Sequence, residues 1–192
     1  FFDSDEIGTI DVPPLSAGEA TSGSYAALYH PWLRRLDAAA DGQPLPALPP
    51  LPPDGPAAGV IARRALERGA WIAPANQTLT GFAALDSILE TDDAQLAAAI
   101  NPIVKQGLDF SVLDALTLSE DADTRPINVR RLMSLLRRLA LKRGTQFIFE
   151  PNSDALRRAI DHRFRNWLGT LFARGAFAGD TPQAAFRLRV DS

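Results

Sequence analysis

The sequence predicts an α/β chain, with α+β as the alternative: a mixed β-sheet flanked by helices. Three observations carry this. Short runs rich in aromatic and β-branched residues alternate with helix-like stretches. Two stretches in the second half repeat apolar residues at three- and four-residue spacing. The 192 residues are 46% hydrophobic and 22% charged, an ordinary globular composition. That length suits one domain, or one domain plus a tail, with a buried core.

The elements follow in order. Residues 1–23 are acidic and broken by Pro13 and Pro14, so they read as an irregular lead-in or the remainder of an upstream domain. Phe1 is not a start methionine and Met133 is the only Met, so the chain reads as cut from something longer. Ser24 to Leu33 suits a short strand that turns at Pro31. From Pro44 to Pro56, seven of thirteen residues are proline, which predicts an extended surface loop without ladder bonds. A polyproline ligand for another domain is the competing reading of that loop.

Ala57 to Arg68 reads as a helix with Val60, Ile61, Ala65 and Leu66 apolar and Gly69 as its stop. Asp92 to Ile100 reads as a short helix with its acids at the positive end of the dipole, ended by Pro102. Leu108 to Leu118 reads as a strand. Pro126 then opens a helix whose apolar positions are Val129, Leu132, Met133, Leu136, Leu139 and Ala140, with Gly144 as its end. Thr145 to Phe149 is predicted as a strand. Ser153 is the expected N-cap of the next helix, which aligns Leu156, Ile160, Phe164, Trp167, Leu168 and Leu171 and closes at Gly175. Ala185 to Val190 alternates, with Phe186, Leu188 and Val190 on one face and Arg187 and Arg189 on the other.

Charge is divided along the chain. Residues 1–124 hold 6 basic and 18 acidic side chains, and residues 125–174 hold 12 basic and 3 acidic. Such halves suit an anionic partner, docking of one half on the other, or repeated copies packing unlike ends together.

The residues offer little for catalysis. The chain has no cysteine, which excludes disulfides, thiolate nucleophiles and Cys-type zinc sites. Its two histidines are His30, read as a packing residue, and His162, read as a solvated or partner-facing one. No phosphate-binding glycine loop or GxSxG elbow occurs. Asp92, Asp93, Asp121 and Asp123 look like cap and loop acids, although an enzyme of unknown class using the acidic first half remains an alternative. A nucleic-acid-binding module using the arginine-rich helices is a second alternative, opposed by an overall charge of −3 and few aromatics placed for stacking. No apolar run approaches the ~20 residues of a membrane-spanning helix.

Several motifs come in a fixed order: Tyr29-His-Pro-Trp32, Pro52-Pro-Asp-Gly-Pro-Ala-Ala-Gly59, and Glu67-Arg-Gly-Ala-Trp-Ile-Ala-Pro-Ala-Asn76. Thr117-Leu-Ser119, Ile127-Asn-Val-Arg-Arg-Leu132, Phe149-Glu-Pro-Asn152, Gly175-Ala-Phe-Ala-Gly179 and Thr181-Pro-x-x-Ala-Phe186 follow. Together, from about Tyr25 to Asp191, the series resembles the C-terminal part of the contractile tail sheath proteins of phages, R-type bacteriocins and phage-tail-like injection systems. Ala65 and Leu116 depart from the family, which carries an acid and a basic residue there.

The resemblance implies a structural, non-enzymatic subunit without cofactor or metal. It implies rings of like subunits around an inner tube, linked by terminal arms that add strands to a neighbour's sheet. Contraction then drives the tube through a target envelope. The implied partners are other sheath subunits, the inner tube protein, and baseplate and tail-terminator proteins, with no nucleic acid and no membrane insertion. Assembly in the bacterial cytoplasm, as part of a virion tail or a released extracellular particle, goes with it. By the same resemblance the Ser153–Arg174 helix faces the tube through Arg157, Arg158 and Arg165, and Phe186, Leu188 and Val190 form the donated strand.

Overall fold

In the computed structural model, residues 23–35, 49–86 and 100–190 are described. The chain divides into two units, Phe1–Arg131 and Leu132–Ser192. The predicted residues 1–22, the first part of the proline-rich loop and residues 92–99 of the predicted short helix lie outside the described residues.

The first unit contains β1 (Leu28–His30), β2 (Leu33–Arg35), helix α1 (Asp54–Arg68), β3 (Gln77–Leu79), β4 (Phe82–Leu85), β5 (Ile100–Gln106) and β6 (Asp109–Val112). Four strands form a mixed sheet in the order β1-β5-β6-β3, and β2 and β4 form a separate ribbon. β1 runs parallel to β5, while β5–β6 and β6–β3 are antiparallel. The mixed sheet with helices is the predicted class. Alternate sheet positions supply the core, where Leu33, Val60, Leu79, Ile103, Phe110 and Val112 cluster. Burying side chains of this size contributes about 1.5–3 kcal/mol each.

Helix α1 starts three residues before the predicted Ala57. Pro53 stands at its N-cap, and Pro56 falls in the first turn, where no N–H partner is needed. Its buried face is Ala57 and Val60, whereas Leu66 is 89% exposed. Six residues past Val60, Leu66 is rotated about 240° around the helix and so cannot share that face. Gly69 does end the helix, at φ 103°, with its N–H on Ala65 O at 3.0 Å. The chain then folds Trp71 back so closely that a Cβ at Gly69 would lie 2.5 Å from the indole. The Glu67–Asn76 motif is therefore a turn-forming segment, closed by Asn76 at φ 53°, where asparagine is tolerated.

Strand β5 corrects the prediction: Ile100 begins a strand, and Pro102 lies inside it. The antiparallel ladder to β6 runs only over Ile103–Gln106. Pro102 stands past its end and uses its carbonyl, which accepts from Leu113 N–H at 3.0 Å. Beside it, Asn101 is completely buried. Its amide donates to Leu28 O and Leu116 O, both at 2.9 Å, and its Oδ1 accepts from Leu116 N–H at 2.6 Å. One side chain thus fastens β1, β5 and the segment after β6. The predicted 108–118 strand is shorter in fact: Gly107 and Leu108 make a tight turn, and ladder pairing stops at Val112.

Helix α2 (Ile127–Gly144) follows. Ile127 is buried, and its N–H donates to Ala115 O at 2.8 Å. The predicted stripe narrows to Val129, Leu132, Leu136 and Leu139, all half-buried, because Met133 and Ala140 are exposed beside it. The α-helix ends at Gly144, the predicted residue, but Gly144 keeps helical angles and leads into a 3-10 turn, Thr145–Phe147, where a strand was predicted. Among the described residues no ladder partner faces this segment, and Thr145 Oγ1 instead donates to Lys142 O at 2.8 Å.

The second unit also holds α3 (Asp154–Ala173) and the short helix α4 (Pro182–Ala185). Ser153 is the N-cap as predicted, its Oγ accepting from Leu156 N–H at 3.2 Å. Gly175 follows the helix at φ 76°. Only Leu171 of the predicted stripe is fully buried. Ala185 belongs to α4, so the predicted terminal strand does not begin there, and residues 186–190 have no ladder partner among the described residues.

Candidate interaction surfaces

The residues singled out for chemistry do not converge among the described residues. His30 is half-buried, and its shielded Nε2 has no hydrogen-bond partner. Burial lowers its pKa, so it favours the neutral form. His162 is exposed on α3, with the Asn166 amide 3.5 Å from its ring nitrogens. Among the described residues no group of three or more His, Asp or Glu is placed to hold a metal ion. Likewise no helix is long and apolar enough to cross a membrane.

Arg130, at the start of α2, serves the first unit. Its Nη2 donates to Thr124 Oγ1 at 2.7 Å and Ser119 Oγ at 3.2 Å, and its guanidinium lies 5.1 Å from the Tyr25 ring centre. Asp121 takes the Thr124 hydroxyl at 2.8 Å, and this bond chiefly holds its carboxyl below the usual range. Arg131 Nη1 donates to Ile61 O at 3.2 Å. The Thr117–Ser119 and Ile127–Leu132 motifs are joined by these contacts.

The α3 arginines are mostly answered by their own neighbours. Arg165 Nε donates to Asp161 Oδ2 at 2.6 Å, one turn away, which lowers the Asp161 pKa and raises that of Arg165. Arg157 donates to Asn152 Oδ1 at 3.1 Å and lies 3.5 Å from Asp154. Arg158 is exposed, and of the three it alone has no ion pair or hydrogen bond among the described residues. Exposed pairs of this kind contribute only about 0–1 kcal/mol, so the helix does not depend on them.

Sequence reasoning missed a groove in the second unit. The end of α2, the 3-10 turn and one face of α3 enclose about 390 Å³, lined by Arg143, Gln146, Phe147, Arg163, Phe164, Asn166, Trp167 and Thr170. Arg163 donates to Gln146 Oε1 at 3.0 Å and sits 5.5 Å from the Phe147 ring centre. Phe164 meets Trp167 edge to face at 6.3 Å. No carboxylate lines the groove. The signal was the i, i+3, i+7 series Arg163, Asn166, Thr170, which is visible only once residues 145–147 are seen to be helical.

Past α4, Phe186 packs on Phe177 with ring centres 5.7 Å apart. Phe186, Leu188 and Val190 are half-buried while Arg187 and Arg189 are exposed, so the predicted alternation is present without a partner strand.

No family model and no curated protein matches the chain. Solved structures do. A chain of the anti-feeding prophage (AFP) baseplate superposes with a TM-score of 0.74 at 31% identity, over 88% of this chain and 45% of that one. The PVC sheath complex of an extracellular contractile injection system, in its contracted state, gives 0.68 at 31% identity, over 88% and 48%. The contracted AFP helical sheath gives 0.71 at 29% identity, over 88% and 46%. The chain spans about half the length of the chains that it matches. Ordered motifs, mixed sheet and superposition agree: over 88% of its length the chain is similar to chains of contractile injection system assemblies.

Proposed function

We propose that the chain is part of a structural, non-enzymatic subunit of a contractile sheath. Such a subunit polymerises helically around an inner tube and contracts to drive that tube through a target envelope. The observation that carries this reading is the likeness, over 88% of the chain at 31% identity, to a sheath complex of an extracellular contractile injection system. Its partners are further copies of itself, an inner tube protein, and baseplate and terminator proteins at the two ends. Assembly takes place in the bacterial cytoplasm before release. The proposal is tested by electron microscopy of the full-length gene product expressed with its candidate tube protein. Tubular or ring assemblies are expected; a product that stays monomeric under all assembly conditions overturns it.

In this reading the segment after α4 is the donated strand. An alternating segment outside any sheet ladder is what strand addition across chains requires. Truncation before Ala185 is expected to abolish sleeves while leaving the far-ultraviolet spectrum of the rest intact. Normal sleeves from the truncated protein would remove the donated strand from the proposal.

For the tube contact, Arg158 is the strongest of the three predicted arginines, since Arg157 and Arg165 already have acceptors on or beside their own helix.

A further inference from the structure

The groove of the second unit is concave, aromatic and cationic. Arg143 and Arg163 border it, and neither has an ion pair among the described residues. It asks for a small convex occupant carrying one apolar side chain and one carboxylate. At about 390 Å³ it lies at the small end of the roughly 300–1,000 Å³ range of built pockets, room for one or two side chains.

The first unit carries such an occupant. Gly107, at φ 66°, lets β5 turn into β6 in two residues, and the tip projects Leu108, 95% exposed. Asp109, the next residue, is exposed and pairs with Gln106 across the turn. Lys105 is one residue out of step with Gln106, so the strand alternation sends it to the opposite face from Asp109. The tip therefore presents a leucine and an unopposed carboxylate together.

We propose that the Leu108–Asp109 tip of one copy seats in the groove of a second copy. Leu108 lies among Phe147, Phe164 and Trp167, and the Asp109 carboxylate accepts from Arg143. This contact joins two different surfaces of the same chain, so it does not close on itself and repeats head to tail. It rests on the sheath reading for its biological setting, although the contact itself needs only two copies.

The absence of cysteine gives a clean test. Mass-tagged Leu108→Cys is mixed with Asn166→Cys under mild oxidation, first in the chain at high micromolar concentration and then in assemblies of the full-length product. A disulfide-linked heterodimer is expected. Asp109→Arg in the first partner should lower its yield at least roughly tenfold, and Arg143→Asp in the second should restore it. Leu66→Cys, equally exposed but on α1, should give none.

No heterodimer in either setting overturns the contact. So does a heterodimer indifferent to both charge reversals. Sleeves that form without the cross-link overturn the contact and leave the sheath reading standing. A cross-link in the chain from a product that never forms sleeves does the reverse.

Discussion

Asn101→Leu is expected to destabilise the chain by about 3–5 kcal/mol although the two side chains are similar in size. The asparagine is fully buried and makes three hydrogen bonds to backbone groups of β1 and of the segment after β6. Leucine makes none, and each backbone group left unsatisfied costs about 1–3 kcal/mol. The added apolar burial offsets only part of this. For a chain of this length the loss corresponds to a fall in Tm of roughly 10 °C. Thermal unfolding followed by circular dichroism measures it directly. Asn101→Asp retains an acceptor for Leu116 N–H but sets a carboxylate against the carbonyls of Leu28 and Leu116, and should be no better tolerated. A loss below about 1 kcal/mol for the leucine variant would mean that the three segments are held by something else.

The second large effect is expected at Gly69, with a change of sign only ten residues away. At φ 103° and ψ 154° the backbone is in a region open essentially to glycine alone. An added Cβ would also meet the Trp71 ring at 2.5 Å. Gly69→Ala must therefore either strain the chain or lift the indole, and about 2–4 kcal/mol of destabilisation is expected. Near-ultraviolet circular dichroism should register the displaced tryptophan. Gly59, inside α1, has open space where a Cβ would go, and the same substitution there should stabilise by about 0.5–1 kcal/mol. Denaturant midpoints of the two variants shifting in the same direction would contradict this account of Gly69.

What the sequence revealed and what it hid divide along a physical line. Features decided within one helical turn were legible: the Ser153 cap, the Gly69 and Gly175 stops, and the apolar stripes of α2 and α3. Strand β5 was not, because its identity comes from pairing with residues 28–30 and 109–112, far off in sequence, and Pro102 within it argued for a break. Thr145 to Phe149 has strand-like composition, yet a strand is defined by a partner, and none is there. The mixed sheet itself was legible from the alternation of short and long elements. At the candidate surfaces, the arginines of α3 were visible, but their ion pairs with Asp161 and Asp154 and the hydrogen bond to Asn152 needed the helix geometry to be taken literally.

Charge asymmetry also changes meaning with the fold in view. Segments 1–22, 36–48 and 87–99 contain ten acidic residues and no basic one. Most of the acidic excess therefore lies outside the described residues, and the described part of the first unit is close to balanced.

The segment beyond α4 has one last consequence. A peptide outside any ladder with apolar residues on alternate positions invites wrong matches, above all with identical peptides on other molecules. Here the interleaved positions are Arg187 and Arg189, both exposed. Two such segments laid side by side in parallel register would set Arg187 against Arg187 and Arg189 against Arg189, a penalty that a heterologous sheet edge need not share. If the donated-strand proposal holds, the segment is thereby biased against in-register pairing with its own copies.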